Sequence, residues 1–248
     1  MIVFPMAGLS SRFTRAGYDR PKWMLPLAGR PLLDWSLRGF RESLERETCL
    51  MIHLENPEVS EFVRQRTQAL GIRDAEFVAL PAPTRGQADT VAAGLALASV
   101  GGDEPLTIFN VDTIRPDYRP APILKTCDGW LECFEGEGDH WSFARPVAEG
   151  SDRVAEVTEK KRVSPYCSTG LYWFRSAELF TTAFTDGEDE LTAGELYVAP
   201  LYQRLIDEGR DVRFGVIPPE DIFFSGTPDE YQHTLTLEDE LRTRFAAL

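Results

Sequence analysis

No stretch of this sequence approaches the roughly 20 apolar residues that a membrane-spanning helix needs. The first apolar segment also lacks the basic leader of a secretory signal peptide and runs straight into a small-residue loop. The four cysteines, Cys49, Cys127, Cys133 and Cys167, show no CxxC spacing and lie in or near predicted strands. That pattern excludes a zinc ribbon and reads as reduced, part-buried thiols in a cytoplasmic protein. Histidine is scarce, with three residues, and no Ser-His-Asp or Cys-His set is recognisable. Bases are outnumbered too: 26 Lys and Arg against 40 Asp and Glu leave a net charge of −14. Such a balance argues against partners that are nucleic acid or anionic membrane. No linker, repeat or low-complexity segment interrupts the 248 residues, which suffice for one large core with an ordinary hydrophobic fraction of 43%. In so acidic a chain, a local cluster of cations is the informative feature.

Such a cluster stands at the start. Ile2 to Ala7 is a short apolar run that meets Gly8-Leu9-Ser10-Ser11-Arg12, the pattern of a buried strand closed by a turn. Gly8 lets the backbone approach a bound group, and successive loop amides can cradle a phosphate. Arg12 and Lys22 add a guanidinium fork and a point charge, both suited to phosphate oxygens. The loop fits neither the Walker pattern nor the spaced glycines of a dinucleotide fingerprint. It reads as an anion-binding loop after a strand.

Strands and helices then alternate. Residues 31–44 carry a helical stripe of Leu33, Leu37, Phe40 and Leu44, and Cys49 to Leu54 is an apolar strand. Asn56-Pro57 caps a second helix that Gly71 ends, with Val59, Phe62, Val63 and Leu70 on its inner side. Ala75 to Leu80 is a strand, residues 87–100 a helix, and residues 105–111 a strand ending at Asp112. This order predicts a doubly wound α/β sheet, whose ligands sit beyond the carboxyl ends of the strands. In the second half, residues 129–134 and 140–146 read as two strands about an acidic turn at 135–139. Residues 154–160, 169–174 and 212–217 read as further strands. Helices are expected at 176–184 and 194–208, and one more after Pro228.

Gly8-Leu-Ser-Ser-Arg12-Phe, then Pro21-Lys22-Trp-Met-Leu25-Pro26-Leu27, then Gly29-Arg-Pro31-Leu resembles the start of the sugar-phosphate nucleotidylyltransferases. Those enzymes join an NTP to a phosphorylated small molecule and release pyrophosphate. The resemblance implies a Rossmann-like three-layer α/β/α fold with a mixed, mostly parallel sheet and a small β-rich acceptor side. It implies one domain over residues 1–248, with a nucleotide half to about residue 112 and an acceptor half beyond. Ala7 to Ser11 would then hold the nucleotide, and Arg12, Lys22 and Asp112 would be catalytic. Asp112 would also bind Mg²⁺, which takes one or two protein carboxylates plus phosphate oxygens. Within Thr84-Arg85-Gly86-Gln87, the amide of Gln87 would read the base edge. Lys160 or Lys161 would hold the acceptor phosphate. Thr169 and Gly170 would line the acceptor pocket, and Glu195 and Tyr197, opening a helix, would contact the acceptor. Trp141, beside His140, fits an acceptor wall or a core aromatic.

One position departs from the family. An aspartate that often binds a second metal lies two residues before the Gly of Gly226-Thr227-Pro228, and here that residue is Phe224. Either Asp221 or Glu195 substitutes, or Asp112, phosphates and water hold the metal. The loop and the 135–140 segment are most similar to the cytidylyl-type, capsule-associated branch, which favours CTP and cell-surface polysaccharide precursors. Partners are then an NTP and a phosphorylated small molecule, with a homo-oligomer left open. Two other readings remain. A glycosyltransferase would show Asp-x-Asp where this chain has Asn110-Val-Asp112, and a non-catalytic nucleotide-binding protein would accommodate Phe224.

Overall fold

The computed structural model describes residues 1–187 and 195–246. The first strand, β1 (Ile2–Pro5), leads through the loop into the short α1 (Ser11–Arg15). A two-residue hairpin, β2 (Pro26–Leu27) and β3 (Arg30–Pro31), precedes α2 (Leu32–Gly39) and α3 (Arg41–Leu44). Then come β4 (Cys49–Leu54), α4 (Pro57–Ala69), β5 (Ala75–Leu80), α5 (Gln87–Leu97), β6 (Leu106–Phe109) and β7 (Thr113–Ile114). The second half holds β8 (Gly129–Glu135), β9 (Ser142–Pro146), β10 (Val154–Glu159), β11 (Tyr166–Phe174) and α6 (Ala177–Gly187). It ends with α7 (Ala199–Asp207), β12 (Val212–Ile217), β13 (Phe223–Phe224), α8 (Pro228–Leu235) and α9 (Glu238–Ala246).

Nine of these strands form one sheet in the order β10-β9-β11-β6-β1-β4-β5, with β8 paired to β11 and β12 to β8. β1, β4, β5, β6, β8, β9 and β12 point one way, and β10 and β11 run against them. The sheet is mixed and mostly parallel, the α/β class expected, and apolar clusters fill both of its faces. Val3, Leu50, Ile108 and Leu131 pack under α5, α6 and α7 on one side. Phe4, Met51, Phe109 and Trp130 meet Leu33, Leu37, Leu44 and Val63 of α2, α3 and α4, with Phe40 between α2 and α3, on the other. Because β1 and β6 are buried on both faces, they read as continuous apolar runs rather than alternating ones.

Local chemistry sets several element ends. Asn56 Oδ1 accepts from Glu58 N at 2.9 Å and Val59 N at 3.2 Å, with Pro57 in the first turn, as expected of a cap. The helix anticipated over 31–44 is broken at Phe40. Gly39 packs so tightly that an added Cβ would lie 2.2 Å from Arg115 O, and its carbonyl accepts from Tyr118 N at 2.9 Å. The strands around the 135–139 turn do not pair with each other. β11 runs between them, taking β8 on one edge and β9 on the other, while β12 pairs with the far edge of β8. The single closing helix proves to be two, α8 and α9. Thr227 and Glu230 form a reciprocal capping box at the start of α8.

α2 and α4 are joined by charge. Asp34 is fully buried, and Arg66 clasps it through Nε at 2.8 Å and through Nη2. Removing one partner of a buried pair strands the other charge in an apolar site. We therefore expect Arg66→Ala to cost about 3–5 kcal/mol in urea unfolding. A loss below about 1 kcal/mol would mean that Arg30, 3.8 Å from Asp34, takes over.

Candidate active site

The carboxyl ends of β1 and β6 open into a cleft of about 490 Å³, lined by the Met6–Leu9 loop, Lys22, Gln87, Asp112, Glu195 and Tyr197 among others. A Cβ added at Gly8 would meet nothing within 4 Å, so this bend of backbone faces open space. Ser10 adopts the left-handed conformation (φ +51°), and its Oγ accepts from Lys22 N at 3.3 Å. The loop is thereby fastened to the Pro21-Lys22 segment. Buried Trp23 anchors that segment against Phe62. Leu9 and Ser11 are exposed beside the cleft. Arg12 is exposed on α1, near enough to Tyr197 for its charge to act on that hydroxyl.

Lys22 Nζ is ion-paired with Asp112 Oδ2, both side chains mostly shielded from solvent. The backbone around Asp112 is held from two sides. Ser36 Oγ of α2 lies 2.8 Å from Val111 O and 2.8 Å from Thr113 O, and Ser225 N donates to Asp112 O at 2.8 Å. A Cβ at Gly226 would come within 3.0 Å of Asp112 Oδ2, so the Gly-Thr-Pro segment lies directly against the carboxylate. Phe224 packs against Phe134 and Trp141, with ring centroids 5.1 and 4.8 Å away. Asp221 is paired with Arg244 at 2.8 Å. Of the two candidates for a second carboxylate, only Glu195 lines the cleft.

Gln87 opens α5, and its Nε2 donates to Asn110 Oδ1, leaving Oε1 for a ligand. The preceding Gly86 is pressed against the chain at Leu196. Leu196 N donates to Arg85 O at 2.9 Å, and Ala88 N donates to Leu196 O at 2.9 Å. Glu195 and Tyr197 therefore sit in an irregular strap ahead of α7 rather than on a helix. The remainder of the helix expected from residue 194 begins at Ala199, and Gly194 itself lies outside the described residues. Arg85 turns to Asp89, 3.2 Å away.

From the other wall comes Lys160, in left-handed conformation (φ +54°) at the end of β10, its N donating to Trp141 O at 2.9 Å. Its Nζ bonds Tyr197 Oη, stands 4.3 Å from the ring centroid, and lies 3.9 Å from Glu159. Tyr197 in turn donates to Glu195 Oε2. Burial, then the Glu195 bond, pushes the Tyr197 hydroxyl well above the ordinary tyrosine pKa, with Arg12 opposing. Burial likewise raises the Glu159 carboxyl, against the hydrogen bond from Ser142. Arg162 is spent on structure. It bonds the Gly136 and Gly138 carbonyls and stands 4.8 Å from the Phe143 ring centroid, which fixes the acidic turn. Trp141 joins the Phe134–Phe224 cluster and is only half-buried.

Most of the expected residues thus converge: Ala7 to Leu9, Ser11, Lys22, Gln87, Asp112, Glu195 and Tyr197, with Ser10 joined through Lys22 and Lys160 through Tyr197, while Arg12 stands outside the lining. Thr169 does not. It is 1% exposed and its Oγ1 lies 3.3 Å from Glu132 Oε1, so its side chain supports the buried Glu132–Arg115 pair. Gly170 (φ +87°) lies under Asn110, whose Nδ2 is 2.4 Å from where a Cβ would stand. The Lys161 carbonyl accepts from Thr158 Oγ1 at 2.5 Å, and its ammonium has no partner among the described residues. Sequence reasoning passed over Ser36 and Asn110. The available signals were a small polar residue inside an apolar helix stripe and an amide at a strand end. Among the described residues no three His, Cys, Asp or Glu side chains cluster as a metal cage. Asp112 nonetheless fits Mg²⁺, which keeps waters and phosphate oxygens beside one or two carboxylates.

The model of the MobA-like NTP transferase domain matches residues 2–130, more than half of the chain. The chain belongs to this family. Membership in this family sets the glycosyltransferase reading aside. The 2-C-methyl-D-erythritol 4-phosphate cytidylyltransferase of Ralstonia nicotianae is 30% identical over 153 residues, 61% of this chain and 58% of that enzyme. That of Cereibacter sphaeroides is 30% identical over 173 residues, 69% of each. The chain thus spans little more than half the length of the first of these relatives. A nucleoside-diphosphate-sugar pyrophosphorylase structure from Vibrio cholerae RC9 superposes on this chain with a TM-score of 0.90. It is 40% identical and covers 95% of this chain and 100% of its own. The inositol-1-phosphate CTP transferase of T. maritima shares the fold at 14% identity (TM-score 0.73, 97% and 95% coverage).

Proposed function

We propose that this transferase moves CMP from CTP to a phosphorylated small molecule, a sugar phosphate or a similar compound, and releases pyrophosphate. The observation that carries the reading is the Lys22–Asp112 pair, set in one cleft with the Gly8 loop and Gln87. The reaction is in-line attack by an acceptor phosphate oxygen on the α-phosphorus. A phosphate monoester is already largely dianionic at neutral pH, with its second pKa at about 6, so no general base is needed. The task is to bring two repelling anions together and spread charge at phosphorus. The loop amides and Arg12 orient the triphosphate, and Lys22 is held in place where α-phosphate oxygens arrive. Asp112 would hold Mg²⁺ together with phosphate oxygens, and the ion would supply further positive charge there. Lys160, at the edge of the cleft with its ammonium on Tyr197, takes the acceptor phosphate, with Glu195 beside Tyr197.

The names of the Ralstonia, Cereibacter and T. maritima proteins support CTP. Gln87 favours it over UTP and dTTP, because Nε2 is committed to Asn110 and Oε1 is left to accept from an exocyclic amino group, which uracil and thymine lack. We assign the product to cell-surface polysaccharide precursors, and the reaction to a reducing, cytoplasmic compartment in keeping with four free, buried cysteines. The halves before and after about residue 112 serve nucleotide and acceptor within one unit.

The test is thermal stabilisation by CTP, UTP, dTTP, GTP and ATP, each with and without Mg²⁺, followed by pyrophosphate release across phosphorylated acceptors. CTP with Mg²⁺ at a hundred times its Kd should stabilise by about 2.7 kcal/mol. Equal shifts by all five nucleotides would overturn the cytosine assignment, and no shift by any would overturn the nucleotide site. On the acceptor side, Lys160→Ala should raise the acceptor KM several-fold while leaving that for CTP unchanged. The same split from Lys161→Ala alone would move the phosphate to Lys161.

A further inference from the structure

The back of α2 gathers arginines in a chain that is otherwise strongly acidic. Ser36 faces the Asp112 backbone. Arg38 lies two residues on, roughly 200° around the helix, and faces away. Arg30, Arg38 and Arg41 line a groove of about 400 Å³ between α2, α3 and the end of α4. Glu45 is the carboxylate in that lining, 3.8 Å from Arg41 with both side chains largely in solvent, a weak pair. Arg30 approaches Asp34 only to 3.8 Å, and Asp34 is already clasped by Arg66.

Arg38 is held in another way. Its guanidinium carbon stands 5.6 Å from the ring centroids of both Trp35 and Phe245. Its Nε is buried without a hydrogen-bond partner. Burial, then the charges of Arg30 and Arg41, lower its pKa below the ordinary arginine value. Stacking fixes the plane of a guanidinium but satisfies none of its in-plane donors. Three guanidinium groups thus face one largely solvated carboxylate across the groove, an excess of positive charge that an anion would offset. Guanidinium forks match phosphate oxygens two at a time.

We propose that this groove is a second anion site, outside the catalytic cleft, that takes a phosphate or diphosphate group. It lies on the opposite face of the helix that holds Asp112 in place, and it does not depend on which nucleotide the cleft selects.

The test follows arginine Nε–Hε signals in the full chain by ¹⁵N-resolved NMR. The chain is titrated with pyrophosphate, and separately with orthophosphate, against chloride at equal ionic strength. The Arg38 signal, assigned by its disappearance in Arg38→Met, should shift and saturate in the wild type and equally in Lys22→Ala, whose cleft lacks its ammonium. Arg41→Gln and Arg30→Gln, at the exposed rim and independent of whether Arg38→Met folds, should each weaken binding tenfold or more. Tighter saturation by pyrophosphate assigns a diphosphate site, and equal saturation a single-phosphate site. An unsaturable drift matching that of chloride, or a response lost in Lys22→Ala, overturns the proposal.

Discussion

Lys22→Ala should lower the rate of pyrophosphate release at saturating substrates by about two orders of magnitude or more, with the fold intact. The ammonium is fixed on three sides. Its backbone N bonds Ser10 Oγ, its neighbour Trp23 is buried, and its Nζ rests on Asp112. Charge held in place before the substrate arrives needs no reorganisation as the phosphorus gains negative charge, which is why such groups dominate catalysis. Asp112→Ala should cost as much, since it removes both the anchor of Lys22 and the proposed Mg²⁺ ligand. Because the two act as a unit, the double variant should be scarcely slower than either single one. Both side chains are partly open to solvent, so urea midpoints should move little. Near-normal turnover in either single variant would sink the assignment of this pair.

The second large effect is expected at Gly86. An added Cβ there would lie 2.5 Å from both Leu196 N and Leu196 O, and neither is a flexible side-chain end that can swing aside. Gly86 also has φ +154° and ψ −173°, a region open essentially to glycine alone. Strain and overlap together put Gly86→Ala at roughly 2–5 kcal/mol of lost stability. The kinetic signature should be double. Gln87 follows Gly86 directly, and Glu195 and Tyr197 flank Leu196, so the CTP and acceptor KM values should rise together. A variant as stable as the wild type, with only one KM altered, would show that the two segments are not coupled through this contact.

Much of this was legible in the sequence because the signals were local. β1, β4, β5 and β12 announce themselves as apolar runs, and Asn56-Pro57 as a cap. Gly8 to Arg12 and Pro21-Lys22 carry their chemistry in consecutive residues. What escaped depends on pairing between distant segments. Nothing near residues 129–146 says that β11 must run between β8 and β9, since the strand that does so lies downstream at residues 166–174. The strap at Glu195–Tyr197 reads as a helix start because its neighbours continue into α7, yet Leu196 is drawn off to bond with Arg85 and Ala88. Thr169 looked like a pocket residue from its motif, and only the buried Glu132 explains why its hydroxyl turns inward. Ser36 gave no warning of its task, because the carbonyls it serves lie some 75 residues away.

Asn110 N donates to Gly170 O at 3.3 Å, joining the end of β6 to β11, while β1 pairs with β6 on its other side. Three neighbouring strands therefore carry, in turn, the Gly8 loop, Asp112 just past the end of β6, and Gly170. Their spacing is the interstrand pitch of about 4.8 Å. Under the proposed reaction the sheet is a ruler for the two phosphates, graduated in backbone hydrogen bonds rather than in side chains. Substitutions around the cleft can retune charge and preference without changing that measure. A lineage of such enzymes could exchange one acceptor for another by rewriting the segment between β8 and β11 and leaving the ruler untouched.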